Sequence, residues 1–236
     1  MGGHPPQDAR KNLREALGDL KTFLGYQAAD GVEGFVLDPE IPVSLKGQPA
    51  LRQETLHEVR TDLGDCQRCR LCQGRKSIVF GVGSTRADLV IVGEAPGRDE
   101  DIQGEPFVGR AGKLLNKMLV AIGLSREEVY ICNVIKCRPP ENRDPLPDEV
   151  VSCEPFLIRQ LRAIQPKAIL AMGRFAAQTL LRTEEKISKI RGQFREYQGI
   201  PVMPTYHPAY LLRNPGQRRP VWEDLQKVQK LLSGPQ

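Results

Sequence analysis

Six cysteines stand in this 236-residue chain, and the spacing of four of them could hold a metal centre. Cys66 and Cys69 form a CxxC pair, tight enough for two thiolates to bind one centre from a single turn. Cys137 and Cys153 are separated by 15 residues and meet only if the chain between them folds back. Pro139, Pro140, Pro145 and Pro147 make such a turn credible. Four thiolates suit tetrahedral zinc or an iron–sulfur cube alike, and spacing does not separate the two. Cys72 could replace Cys69 in the first pair, and Cys132, inside an apolar run, reads as a small buried hydrophobe. A metal centre is a better reading than six unrelated thiols.

Three further stretches carry residue types used in catalysis. Gly93-Glu94-Ala95-Pro96-Gly97 is neither GxGxxG nor GxxxxGK[ST], yet its glycines would let a backbone approach a ligand closely. Asp99-Glu100-Asp101 follows it, either a solvated turn or a group that holds a metal or a water. Phe107-Val-Gly-Arg-Ala-Gly112 precedes a helix, where Gly109 to Gly112 could take a phosphate and Phe107 could be core or a stacking platform. His207, with Tyr210, Leu211, Leu212 and Arg213 after it, is expected in a loop between Pro208 and Pro215, suited to wedging into a duplex. Taken singly, each stretch is better read as an ordinary structural segment.

The apolar pattern indicates what positions these residues. Strands are expected at Ile78–Phe80, Asp88–Val92, Glu128–Val134, Ala168–Met172 and Ile200–Pro204, and helices at Gly112–Ile122, Asp148–Ile164, Phe175–Leu181 and Trp222–Leu232. Short apolar strands alternating with helices imply a mainly parallel sheet covered on both faces. Ligands of such sheets bind beyond the carboxyl ends of the strands. Glu94, Asn133, Arg174 and His207 each follow or end an expected strand, so they should converge on one edge.

Composition narrows the class. With 40% hydrophobic and 27% charged residues, the chain can bury a sizeable core. No apolar run approaches the roughly 20 residues of a membrane span, and no signal peptide opens the sequence, so a reducing cytoplasm and no membrane partner are expected. The net charge of +5 is unevenly spread: residues 159–219 hold 12 basic and three acidic side chains, and residues 1–65 hold seven and 11. The basic stretch suits a polyanion. Residues 1–60 read as an extension, with an amphipathic helix from Asp8 to about Tyr26, an irregular stretch from Ala29 to Pro49 and the start of a helical pattern at Leu51–Leu63. Residues 61–236 read as the main domain.

Four ordered motifs carry a family resemblance. Gly93-Glu-Ala-Pro-Gly-Arg-Asp-Glu-Asp101, Pro106-Phe-Val-Gly-Arg-Ala-Gly112, Val129-Tyr-Ile-Cys-Asn-Val-Ile-Lys-Cys-Arg-Pro-Pro140 and Tyr206-His-Pro-Ala-Tyr-Leu-Leu-Arg213 resemble those of family 4 uracil-DNA glycosylases, the iron–sulfur branch. The resemblance spans about Cys66 to Leu232. It implies a three-layer α/β/α fold around a short, mainly parallel sheet, and a [4Fe-4S] cluster on Cys66, Cys69, Cys137 and Cys153. It also implies uracil-containing DNA as partner, single- or double-stranded, a monomer, and a cytoplasmic enzyme of bacterial or archaeal type. Uracil would be flipped from the helix into a pocket formed with Gly93, Ala95 and Gly97. There Phe107 would stack on the base and Asn133 would bond its Watson–Crick edge. His207 would stabilise the departing anion, Leu211, Leu212 and Arg213 would fill the gap with Tyr210 beside them, and Arg138 would meet DNA in the loop fixed by the cluster.

The better-known uracil glycosylases carry an aspartate where Ala95 stands and a tyrosine where Gly97 stands. Glu94, Asp99 or Glu100 must then serve in place of the aspartate, unless DNA phosphates and the histidine suffice, and Glu94 is the preferred candidate. Glu141-Asn-Arg-Asp-Pro-Leu-Pro147 lacks the histidine-bearing insertion of the branch that traps DNA covalently, so turnover is expected. A non-catalytic iron–sulfur module that only binds DNA is the alternative.

Overall fold

The computed structural model describes residues 53–234, and the helix expected at Asp8–Tyr26 and the irregular stretch after it lie outside them. Arg52–Gln236 forms a compact unit of its own. It opens with α1, Leu56–Leu63, started by a reciprocal cap in which the Thr55 hydroxyl accepts from Glu58 N–H and the Glu58 carboxylate accepts from Thr55 N–H. α1 therefore straddles the boundary expected at residue 60.

The strands are β1 (Val82–Gly83), β2 (Leu89–Gly93), β3 (Tyr130–Asn133), β4 (Ala168–Met172), β5 (Arg195–Tyr197) and β6 (Ile200–Thr205). They form one sheet in the order β1-β3-β2-β4-β6-β5, parallel through its four central members and antiparallel at both edges. Interleaved with them are α2 (Arg98–Gln103), α3 (Arg110–Ala121), α4 (Pro147–Ile164), α5 (Arg174–Leu181), α6 (Ile187–Ile190), α7 (Pro208–Arg213) and α8 (Arg218–Leu232).

Alternation along β2 sorts the core into two halves, because successive side chains leave a strand on opposite faces. Val90 and Val92 pack with Leu157 and Leu161 of α4 and with Ala177 and Leu180 of α5. Leu89 and Ile91 pack with Leu115 and Leu119 of α3 and with Val221, Leu225 and Val228 of α8. The result is the expected three-layer α/β/α arrangement. Among the described residues no helix is long and apolar enough to cross a membrane.

Three local expectations are corrected. Ile78–Phe80 is not a strand; Val79 N–H donates to Lys136 O, and the edge strand comes later, at β1. Gly81 and Gly83 have φ of +143° and +124°, and a Cβ on Gly83 would fall 1.9 Å from Val129 O, so glycine lets this edge close up. Asp99-Glu100-Asp101 is the first turn of α2, where carboxylates suit the positive end of a helix. Pro208–Arg213 is a helix, not a loop: Pro208 sits at its first position and His207 is its N-cap.

Candidate active site

The four parallel strands all end on one edge. The connection leaving β2 runs to β3 on one side and that leaving β4 runs to β6 on the other, so a crevice opens at their carboxyl ends. Hydrogen bonds past the strands hold that edge: Val134 N–H donates to Gly93 O, Ile135 N–H to Glu94 O, and Gly173 N–H to Thr205 O. Gly93 lies opposite Asn133 in the ladder.

Here the absence of side chains matters. A Cβ on Gly93 would lie 2.3 Å from Asn133 Oδ1 and 2.8 Å from the Phe107 ring. A Cβ on Gly173, whose φ is +94°, would lie 2.9 Å from that of His207. The Phe107 and His207 rings stack with centroids 5.4 Å apart and planes inclined by 29°. Gly93, Asn133, Phe107 and His207, far apart in the chain, thus line one place.

His207 is held in a defined state. Its Nδ1 accepts from Ala209 N–H at 3.1 Å, so a neutral ring carries its proton on Nε2. Burial pushes the imidazole down to about 4, and the Arg213 guanidinium adds to the effect. Glu94 is half-buried, and desolvation raises its carboxyl to about 7, with Asp144 adding and Arg174 opposing. Asp144 and Arg174 themselves form an ion pair.

Asn133 is only 2% exposed and is fixed from below by a buried cation. Lys136, 1% exposed, donates from Nζ to Asn133 O and to Gln160 Oε1, both at 2.6 Å. Gln160 donates in turn to Phe80 O and Tyr130 OH. Buried polar groups need such partners, and this chain of them joins the sheet edge to α4.

Glu100 Oε1 accepts from Val108 N–H and Gly109 N–H at 3.1 and 3.3 Å, so a carboxylate of the protein already takes the Gly109 amide at the start of α3. Asp101 accepts from Lys76 and Ser77 N–H, so it organises chain, not a metal or a water. Leu211 is 1% exposed in the core beside α3 and α8, so it is not displayed as a wedge. Leu212, 41% exposed, and Arg213 face outward instead. Tyr210 is half-buried against Tyr206, with ring centroids 4.9 Å apart. Ala95 packs on the core, and Gly97 is the N-cap of α2.

Four cysteines are electrostatic neighbours. Burial raises the Cys153 thiol, with Cys69 and Cys66 adding to it, and raises Cys137 to about 12, with Cys153 and Cys69 again adding. Three of the sulfurs receive N–H donors: Cys66 from Arg68 at 3.5 Å, Cys137 from Arg75 at 3.5 Å and Cys153 from Lys136 N–H at 3.3 Å. Among the described residues, no three His, Cys, Asp or Glu side chains form a group able to hold a metal ion. Cys132 is a buried core residue. Beside the cysteines, Arg70, Arg138 and Arg143 line a cleft of about 420 Å³; Arg138 donates to Asn142, and Arg143 pairs with buried Glu149.

The family model of the uracil DNA glycosylase superfamily matches residues 80–226. The chain belongs to the uracil-DNA glycosylase superfamily. It is 46% identical over 186 residues to the type-4 uracil-DNA glycosylase of Archaeoglobus fulgidus, covering 75% of this chain and 94% of that protein. It is 44% identical over 189 residues to that of Saccharolobus solfataricus, covering 76% and 88%, and 43% identical over 185 residues to that of Thermotoga maritima, covering 77% and 96%.

Sequence reasoning missed several residues at the site of this uracil-DNA glycosylase superfamily member. Lys136 and Arg126 act through backbone groups, and nothing in a linear motif announces a buried lysine. Gly173 was visible only as a glycine after a strand. The His207 ring should titrate near pH 4 by NMR and remain neutral from pH 5 to 8. A midpoint above 6 would refute the partly buried, neutral imidazole.

Proposed function

We propose that this protein is a monofunctional uracil-DNA glycosylase, which hydrolyses the bond between uracil and deoxyribose and leaves an abasic site for base-excision repair. The observation that carries the reading is the meeting of Gly93, Asn133, Phe107 and His207 at the strand ends, inside the segment the family model matches. Phe107 stacks on the flipped base, and the Asn133 amide offers uracil O4 an N–H donor and uracil N3–H an oxygen acceptor. Cytosine's amino group would leave buried polar atoms unpaired at that amide.

Cleavage builds positive charge on the sugar and negative charge on uracil. His207 Nε2–H donates to uracil O2, a bond that strengthens as the anion forms. A neutral donor suits this task, because its proton stays in place while the charge across the bond changes. Glu94, partly ionised at neutral pH, orients water toward the sugar carbon, takes its proton and balances the sugar cation. Leu212 and Arg213 fill the vacated stack while Leu211 anchors α7 from within, and Gly93 lets Asn133 and Phe107 close together on the base.

Cys66, Cys69, Cys137 and Cys153 would hold a [4Fe-4S] cluster. The N–H donors to three of the sulfurs support thiolate ligands, and the cube rather than zinc is what the family resemblance implies. When bound, the cluster fastens the segment after α1 to the loop of Arg138 and Arg143, which meets DNA phosphate. Residues 1–60 are an extension of the glycosylase domain, and the protein acts as a cytoplasmic monomer.

Incubation with a uracil-containing oligonucleotide followed by alkali should give strand cleavage, and His207→Ala should lower it by about a hundredfold or more. No cleavage by the wild-type protein would favour a DNA-binding module. Activity as kcat/KM should rise with pH up to about 7, as the Glu94 carboxyl ionises, and Glu94→Gln should remove that acid limb. An unchanged limb would exclude Glu94 as the base. Anaerobically prepared protein should be brown, with iron and labile sulfide near four each per chain, and Cys153→Ala should be depleted of both. A colourless zinc protein would refute the cluster.

A further inference from the structure

Phe107 has a backbone φ of +54°, in the left-handed region that bulky L-residues rarely occupy. Such a conformation persists only where the surroundings impose it. The Arg126 side chain supplies much of that imposition. It lies 19 residues downstream, between α3 and β3, and its Nη1 donates to Phe107 O at 3.2 Å. Its Nη2 donates to Pro106 O, and Nη1 also reaches Asn116 Oδ1 of α3 at 3.4 Å. One planar guanidinium thus spans two consecutive carbonyls, which a lysine ammonium cannot reproduce with the same fork. On the other side, the Glu100 carboxylate takes the next two amides, Val108 and Gly109. Close packing completes the clamp, since a Cβ on Gly112 would fall 1.7 Å from Phe107 O.

We infer that Arg126 is a positioning residue of the active site, which fixes the Phe107 ring over the base pocket and against His207 by clamping the Pro106 and Phe107 carbonyls. This rests on the uracil-DNA glycosylase reading for its kinetic consequence, but not for its structural one. Arg126 touches neither ring, so its removal leaves every group of the pocket present and loosens one of them.

The Phe107 ring lies 5.4 Å from the imidazole, so its ring current reports its own position on the His207 proton resonances. In Arg126→Met, those resonances should move toward their positions in Phe107→Leu. Inhibition by free uracil should weaken, and kcat should fall by about tenfold to a hundredfold, with KM for the oligonucleotide little changed. Wild-type His207 resonances and kcat in folded Arg126→Met would overturn the inference. Should that variant fail to fold, Arg126→Lys decides by the same two readouts, since it keeps the charge and the stem but not the fork. If the wild-type protein releases no uracil, the functional reading fails, and the resonances still decide whether Arg126 holds the ring.

Discussion

Close approach at Gly93 is the constraint on which the pocket depends. The carbonyl end of the Asn133 amide and the edge of the Phe107 ring both occupy space that a side chain would take there. Gly173 does the same for His207 on the neighbouring strand end. Two glycines at the ends of adjacent parallel strands therefore let an amide, a phenyl ring and an imidazole crowd a volume that backbone normally shares with its own side chains. The parallel register then keeps them together, because Gly93 and Asn133 are direct ladder partners and Met172 lies opposite Thr205.

Beneath the pocket, charge is buried where it can act as a fastener. The Lys136 ammonium is packed against carbonyls of the sheet edge and of Gln160, and its own N–H faces the Cys153 sulfur. Asp224 of α8 is likewise fully buried, accepting from Thr205 Oγ1 and from the Arg191 guanidinium. Removing one partner from groups of this kind leaves an uncompensated charge or dipole, which costs far more than the contact contributes. The strand ends are thus tied from both helical layers, through α4 on one face and α8 on the other.

The strands that carry the site were legible because each is short, apolar and followed by a residue type with obvious chemistry. Glu94, Asn133, Arg174 and His207 could be aligned on one edge from that pattern alone. What was not legible is what depends on three-dimensional neighbours. Leu211 and Leu212 look alike in sequence, but the helix started by Pro208 turns one into the core and the other outward. The acidic run at Asp99–Asp101 is likewise mute until the structure shows the Glu100 and Asp101 carboxylates on backbone amides. The edge strand was misplaced because two glycines with positive φ, rather than an apolar run, determine where the chain can pair. Spacing left Cys72 open as an alternative to Cys69, and the resemblance, not the spacing, names the four ligands and the iron–sulfur cube.

The order of the strands also governs when the site can exist during synthesis. Gly93 and Asn133 emerge from the ribosome early and pair in the first half of the sheet, while His207 arrives on the last parallel strand, β6. A chain that stops before β6 therefore holds the cysteines, Asn133 and Phe107 but not His207. Completion of the pocket therefore waits on the last parallel strand.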